Sequence, residues 1–350
     1  MLVEKYEILE AKIPLKREFK IALGSSTLHR SLILKVYGDG YIGYGEGAPS
    51  VRITGENISG TREGIELIMT EILGKDISLE HLHKIFKRIQ GHYAAKAAVD
   101  IALHDLYAKT LGIKVRDIYG RLRESMETSI TIGISSVEDT LSMAREYVEN
   151  YGAKILKIKV GENLEEDVNR IKEVRDLYPE VRIRVDANQG YNFHEAIEFF
   201  RAIKNLDVEF VEQPIPYWQL DKLSELRKRV DIPIMLDESV KNPYDLKRAI
   251  EHKSLDMLNI KLMKCGGIRT AWSMIEICRI WDIPVMIGCM GETEIGIAAG
   301  THLACATEVV KYADLDSHII LLESIVKGGI ITKDGENHLY DSPGLGVEMK

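Results

Sequence analysis

Between residues 128 and 314, eight short apolar runs recur at nearly even intervals: 128–134, 155–160, 181–186, 208–212, 232–237, 255–261, 283–288 and 309–314. Continuous apolar runs of this length mark strands buried on both faces, which need helices to cover them. The intervening stretches supply those helices. In 193–205, for instance, Phe193, Ala196, Ile197, Phe200 and Ile203 keep helical spacing. Eight strands with helices between them favour a closed barrel over an open sheet. A doubly wound sheet would carry a glycine fingerprint after its first strand, and none is present. The expected fold class is therefore α/β, with a barrel over 124–320.

The first 123 residues have a different texture. Segments 2–13 and 31–38 read as strands, and Gly38-Asp39-Gly40 turns the chain into a third at Tyr41–Glu46. Helical patterns follow over 57–73, 79–90 and 93–110. Strands first and helices afterwards predict a small α+β domain. Residues 321–350 are too few for another domain and are expected to return to the first one.

Composition excludes several classes. Lys and Arg number 46 against 54 Asp and Glu, a net charge of −8, which argues against a nucleic-acid partner. The most apolar candidate for a membrane span, 275–290, is broken by Arg279 and Asp282. The N-terminus carries charges where a signal peptide needs an apolar core. The four cysteines, Cys265, Cys278, Cys289 and Cys305, show no Cys-x-x-Cys spacing. A cytoplasmic protein with free thiols and no membrane or nucleic-acid partner is the expectation.

The chemistry lies at the C-terminal ends of successive runs. Lys159, Asp186, Glu212, Asp237 and Lys261 follow one another at 27, 26, 25 and 24 residues, each step one strand–helix unit long. Such spacing brings every side chain to the same rim, where barrel active sites are built. Three carboxylates meeting there repel one another strongly, and a hard divalent cation relieves that repulsion. All-oxygen ligation by Asp186, Glu212 and Asp237 points to Mg²⁺ rather than Zn²⁺. Lys157 and Lys159 lie two apart and face the same way. Two close ammonium groups depress each other's pKa, and a metal pushes the same way, which makes a neutral amine available as a base. Lys261 arrives from the far side, so a carbon acid would sit between two lysines. Lys264 is read as a solvated strand-end residue, Glu238 as at most a neighbour of the acid cluster, and His104 as a satisfied core histidine. Gly266-Gly267 is read as a tight turn.

Lys157-Ile-Lys159, Asp186-Ala-Asn188, Glu212-Gln-Pro214, Asp237-Glu-Ser239 and Lys261-Leu-Met-Lys264-x-Gly-Gly-Ile268 together resemble the enolase superfamily, in its muconate-lactonizing subgroup. The likeness covers nearly the whole chain, to the closing Pro343-Gly-Leu-Gly-Val347. It implies a modified (β/α)7β barrel under an N-terminal capping domain and the superfamily's known pairing of a lysine or histidine base with Mg²⁺. A histidine-based branch needs an imidazole near the seventh strand end, where this chain has Ile287-Gly-Cys-Met-Gly-Glu292. Asn188 is implied to orient the Asp186 shell, and a homo-oligomer is implied as the assembly.

The shared chemistry is proton removal beside a carboxylate. With Lys159 on one face and Lys261 on the other, removal by one and return by the other inverts the centre. Asp314 and Asp316, in Tyr-Ala-Asp-Leu-Asp-Ser, are placed to hold a substrate ammonium group, and the pair resembles a dipeptide-epimerase signature. The expected substrate is an L-Ala-Xaa dipeptide inverted at its C-terminal residue. The alternatives are a muconate-type cycloisomerase, an o-succinylbenzoate synthase, or a non-catalytic ligand-binding barrel. Thr131, Cys289 and Met290 are expected to line the site. Some Ala-Glu epimerases carry an arginine where this chain has Gly24. Arg52, in a second cap loop, is read either as its replacement or as a surface charge. A neutral or hydrophobic C-terminal residue is preferred.

Overall fold

The computed structural model describes all 350 residues. Strands β1 (Lys5–Ile21), β2 (Gly24–Gly38) and β3 (Tyr41–Gly47) form an antiparallel sheet in that order. Its two faces serve different cores. Leu32, Leu34 and Val36 pack against helices α1 (Ile58–Ile72), α2 (Leu79–Arg88) and α3 (Tyr93–Leu111), while Ile33 joins the barrel-side core. His29 and Ser31 alternate with that helix-facing set and share the face of Ile33. The β1–β2 hairpin is much longer than the expected strands 2–13 and 31–38. Its far end is interrupted between Pro14 and Phe19 and mixes charged residues with Leu15, Phe19, Ile21 and Leu28, which cover the barrel mouth. A ribbon of that kind has no continuous apolar run for the sequence to display.

After β4 (Ser125–Glu127) come the eight parallel strands β5 (Ile130–Ile132), β6 (Ile155–Lys159), β7 (Arg182–Asp186), β8 (Val208–Glu212), β9 (Ile234–Leu236), β10 (Met257–Lys261), β11 (Val285–Gly288) and β12 (Val310–Asp314). Each strand lies inside its expected run. Seven crossovers join them: α4 (Val137–Tyr151), α5 (Leu164–Leu177), α6 (Phe193–Ala202), α7 (Leu220–Arg227), α8 (Pro243–Glu251), the pair α9 (Leu262–Cys265) and α10 (Ile268–Ile280), and α11 (Glu294–Ala306). The ring is drawn shut where Ser129 N–H donates to Ala313 O (3.1 Å) and Leu315 N–H to Thr128 Oγ1 (2.8 Å). Inside, Phe210, Met235, Met257 and Met286 form an apolar plug. Arg184 lies over the rings of Phe210 and Tyr312 at its base. Side-chain alternation then puts Asp186, Glu212, Asp237 and Lys261 on the same inward face, one or two steps above the plug.

The tail adds β13 (Val326–Gly328), β14 (Ile330–Lys333), β15 (Glu336–Leu339) and β16 (Val347–Met349). β14 and β15 extend a small sheet with β4, and β13 pairs with β16. The tail also touches the cap, with Leu345 N–H donating to Asp105 Oδ1 (2.7 Å).

Two buried cap carboxylates seat the cap on the barrel. Asp100 Oδ2 accepts from Arg269 N–H (3.2 Å) in the first turn of α10. Glu46 accepts from Thr293 N–H (2.9 Å), Thr293 Oγ1 (2.7 Å) and Gly296 N–H (3.0 Å) at the start of α11. Each satisfies orphan helix donors and opposes the positive end of the helix dipole. Gly267, at φ +108°, is the turn residue before α10, and a Cβ there would stand 2.5 Å from Asp100 Oδ2. The turn expected at Gly266-Gly267 thus has a second cause, the close approach of the cap helix.

Candidate active site

Asp186, Glu212 and Asp237 are wholly buried at the ends of β7 and β8 and just beyond β9. Lysines lie between them. Lys157 Nζ is 3.0 Å from Asp186 Oδ2, 2.7 Å from Glu212 Oε2 and 2.7 Å from Asp314 Oδ2. Lys159 Nζ reaches Asp186 Oδ2 at 2.6 Å, and Lys261 Nζ reaches Asp237 Oδ2 at 2.8 Å. No three His, Cys, Asp or Glu side chains are gathered round one ion position in this arrangement. The donor set nevertheless suits a hard cation. It is all oxygen, and the buried Glu212 Oε2 and Asp237 Oδ2 each meet a lysine ammonium but no well-directed hydrogen bond, which leaves them free to turn to an ion.

The electrostatics differ from the expectation for the lysines. Burial alone would pull the Lys157 ammonium down, but Asp186, Asp314 and Glu212 outweigh it and hold it well above the ordinary lysine range. Lys261 is likewise raised, since Asp237 and Glu212 outweigh its burial. For Lys157 the expected depression by a neighbouring ammonium is therefore overturned by the three carboxylates within 3.0 Å of it. Burial and then the repulsion of Asp186 push Glu212 up to about 7. For Asp237 the attraction of Lys261 and Lys264 outweighs burial and keeps its carboxyl well below the usual range.

Lys264 corrects a second expectation. It is not solvated: its side chain is fully buried and its ammonium donates to Asp237 Oδ1, to the Asp237 carbonyl and to Asn259 O. The short helix α9, which starts directly after Lys261, turns Lys264 back under the acid. Glu238 is buried beside the cluster and accepts from Asn188 Nδ2 (3.1 Å). Asn188 N–H in turn donates to Asp186 Oδ1 (2.9 Å). Burial, then Asp237 and Asp186, push Glu238 up to about 8. His104 is satisfied in the core, bonded to Asp100 O and Tyr119 Oη.

Above the acids lies a cavity of about 350 Å³ between barrel and cap. Of the expected residues, Thr131, Lys159, Asn188, Lys261, Cys289, Met290, Asp314 and Asp316 line it. Lys157, Asp186, Glu212 and Asp237 lie outside that lining. Gly24 and Arg52 do not line it either, but they lie against each other. A Cβ on Gly24, which has φ +128°, would stand 2.5 Å from Arg52 Nη2, so the guanidinium fills the space of a side chain at 24. Lys159 and Lys261 stand on β6 and β10, separated by three strands of an eight-strand ring and therefore opposite one another.

Asp314, the last residue of β12, and Asp316, two residues beyond the strand, have different surroundings. Asp314 accepts from Ser129 Oγ (2.8 Å) and Thr131 Oγ1 (3.2 Å) and pairs with Lys157. Asp316 accepts Thr131 N–H (2.6 Å), with Cys289 Sγ 3.7 Å away, and keeps more of its acceptor capacity. Burial and the Asp314 charge push Asp316 up to about 6. Sequence reasoning missed Asn259, whose Nδ2 donates to Glu212 Oε1 (2.7 Å), although its position two before Lys261 places it on the same face. It also missed His29, Ser31 and Glu46, which carry no motif.

Residues 5–120 match the family described as mandelate racemase/muconate lactonizing enzyme, N-terminal domain, and residues 139–350 match the enolase C-terminal domain-like family. The chain belongs to the enolase superfamily. Within it, the chain is 38% identical to an L-Ala-D/L-Glu epimerase of Clostridium acetobutylicum, covering 99% of each. It is also 38% identical to an L-Lys-D/L-Arg epimerase of Desulforapulum autotrophicum, again over 99% of each. A dipeptide epimerase from Enterococcus faecalis V583, solved with Mg and the dipeptide L-Leu-L-Tyr, superposes with a TM-score of 0.96 at 36% identity, covering 99% of this chain and all of that one. These relatives differ widely in the side chains they act on, so superfamily membership leaves the side-chain preference to the individual cavity.

Proposed function

We propose that this protein is a Mg²⁺-dependent dipeptide epimerase that inverts the α-carbon of the C-terminal residue of an L-Ala-Xaa-type dipeptide. One observation carries the reading: two lysines on opposite strands border a single cavity that also holds Asp316, an aspartate bound to no basic side chain. Asp186, Glu212 and Asp237 are the residues that would hold the ion. When bound, it supplies positive charge beside the substrate carboxylate, where negative charge grows as the α-proton leaves. Asp316 holds the N-terminal ammonium and so sets the length of the substrate. One of Lys159 and Lys261 takes the α-proton, the C–H electron pair moving into the carboxylate, and the other delivers a proton to the opposite face. Lys157, sealed among three carboxylates, stays charged and stabilises the carboxylate end. The cap roof keeps bulk water away from the neutral amine.

Cycloisomerase and succinylbenzoate synthase substrates have no ammonium group, which leaves Asp316 without a role. A non-catalytic binding barrel would tolerate loss of either lysine. Incubation of L-Ala-L-Xaa dipeptides with the enzyme and Mg²⁺ in D₂O is the test. The expected result is a gain of one mass unit together with appearance of the L,D epimer. Absence of deuterium uptake across the panel overturns the proposal.

A further inference from the structure

The cap contributes mainly apolar side chains to the cavity, among them Leu15, Phe19, Ile21, Leu28 and Ile53. It contributes one buried polar side chain, His29 on β2. Arg30, which also reaches the cavity, is exposed and already paired with Glu10 at 2.6 Å.

The imidazole is held from behind. Its Nε2 lies 2.9 Å from Ser31 Oγ, and Ser31 Oγ donates to Glu46 Oε1 at 2.7 Å. Glu46 is the carboxylate that caps α11. It lies 3.6 Å from His29 Nε2 and takes hydrogen bonds from Ser31 Oγ, Thr293 N–H, Thr293 Oγ1 and Gly296 N–H, so its oxygens serve as acceptors. With its single proton committed to Glu46, Ser31 Oγ must accept from the ring. The Nε2 nitrogen therefore carries a proton, and whenever the ring is neutral Nδ1 is left as an acceptor. Nδ1 has no hydrogen-bond partner in the protein and is not sealed away from the cavity.

The reaction geometry decides what meets it. As the α-proton leaves, the reacting carbon becomes planar, with the two lysines above and below the plane. Within the plane the carboxylate runs down to the acids and the nitrogen runs toward Asp316. The third in-plane bond carries the side chain, and it points at the cap.

We propose that His29 Nδ1 is a specificity-determining acceptor, selecting at the C-terminal residue a neutral side chain that ends in a hydrogen-bond donor, a carboxamide or hydroxyl, over its apolar counterpart. The inference rests on the epimerase reading above. A single neutral hydrogen bond supplies discrimination of about 3- to 10-fold.

The test compares kcat/KM for L-Ala-L-Gln against L-Ala-L-Met, and for L-Ala-L-Tyr against L-Ala-L-Phe, in the unaltered enzyme and in His29→Leu. At least one donor-to-apolar ratio is expected to exceed one and to fall about 3- to 10-fold in the variant. Should His29→Leu fail to fold, His29→Phe keeps a ring of similar size without the acceptor and gives the same comparison. Ratios that do not change overturn the assignment. So does a preference for L-Ala-L-Glu over L-Ala-L-Gln that the substitution removes, because the ring would then act as a cation. If the unaltered enzyme turns over no dipeptide at all, the epimerase reading falls first and this one with it.

Discussion

Lys157 and Lys159 stand on one face of one strand, yet only Lys159 reaches the cavity. Lys157 is closed in by Asp186, Glu212 and Asp314. That difference separates charge stabilisation from proton transfer. Replacing Lys159 or Lys261 by alanine should lower epimerisation by about 10²–10⁴-fold. Each variant should still exchange the α-proton of the one epimer whose hydrogen faces the remaining lysine. Proton NMR in D₂O, started separately from the L,L and L,D dipeptides, reads this directly, and exchange of both epimers by either variant would contradict the two-sided arrangement. Asp316 sets a pH dependence. Its carboxyl is pushed up to about 6 and must be ionised to hold an ammonium group. Consequently kcat/KM should fall as pH drops below about 6, mainly through KM. In Asp316→Asn that acid limb should vanish along with most dipeptide turnover.

At the scale of elements, the barrel was legible because its strands are covered on both sides and leave uninterrupted apolar runs. The acid and lysine ladder was legible because each rung ends such a run. The long cap hairpin was not, since one side of its far end faces solvent and its pattern is mixed. The same limit hid Lys264, whose burial depends on the one-turn helix α9, and Glu46, which acts on a helix nearly 250 residues later in the chain. Glu46 makes a prediction of its own. Glu46→Ala would strand the N–H groups of Thr293 and Gly296 inside the protein and free the hydroxyl of Ser31. Urea denaturation should show a loss of about 2–4 kcal/mol. Glu10→Ala, which breaks only exposed pairs with Arg30 and Lys12, should cost far less.

The whole molecule stores a linkage to pH away from the site. His302, in the middle of α11, is completely buried, with Nδ1 accepting Arg116 N–H (3.3 Å) and Nε2 unpartnered. Burial pulls its pKa down to about 3. The folded protein therefore keeps this ring neutral where the unfolded chain, near 6.5, takes up a proton. Its contribution is full above about pH 6.5 and declines toward pH 3, by about 1.4 kcal/mol per pH unit. His302→Leu does not titrate, so its stability deficit relative to the unaltered protein should shrink by that amount per unit between pH 6 and 4.5. Urea midpoints across the interval check the slope, and a constant deficit would show that the ring is not held neutral.

Asp100 and Glu46 both belong to the cap, and both terminate helices of the barrel. The roof over the reacting carbon is therefore held by the same groups that complete two walls beneath it. Shuffling caps among relatives to alter side-chain preference should succeed only when the incoming piece brings an acid to each of these two sockets. A graft lacking either would have a loosened wall as well as a new roof.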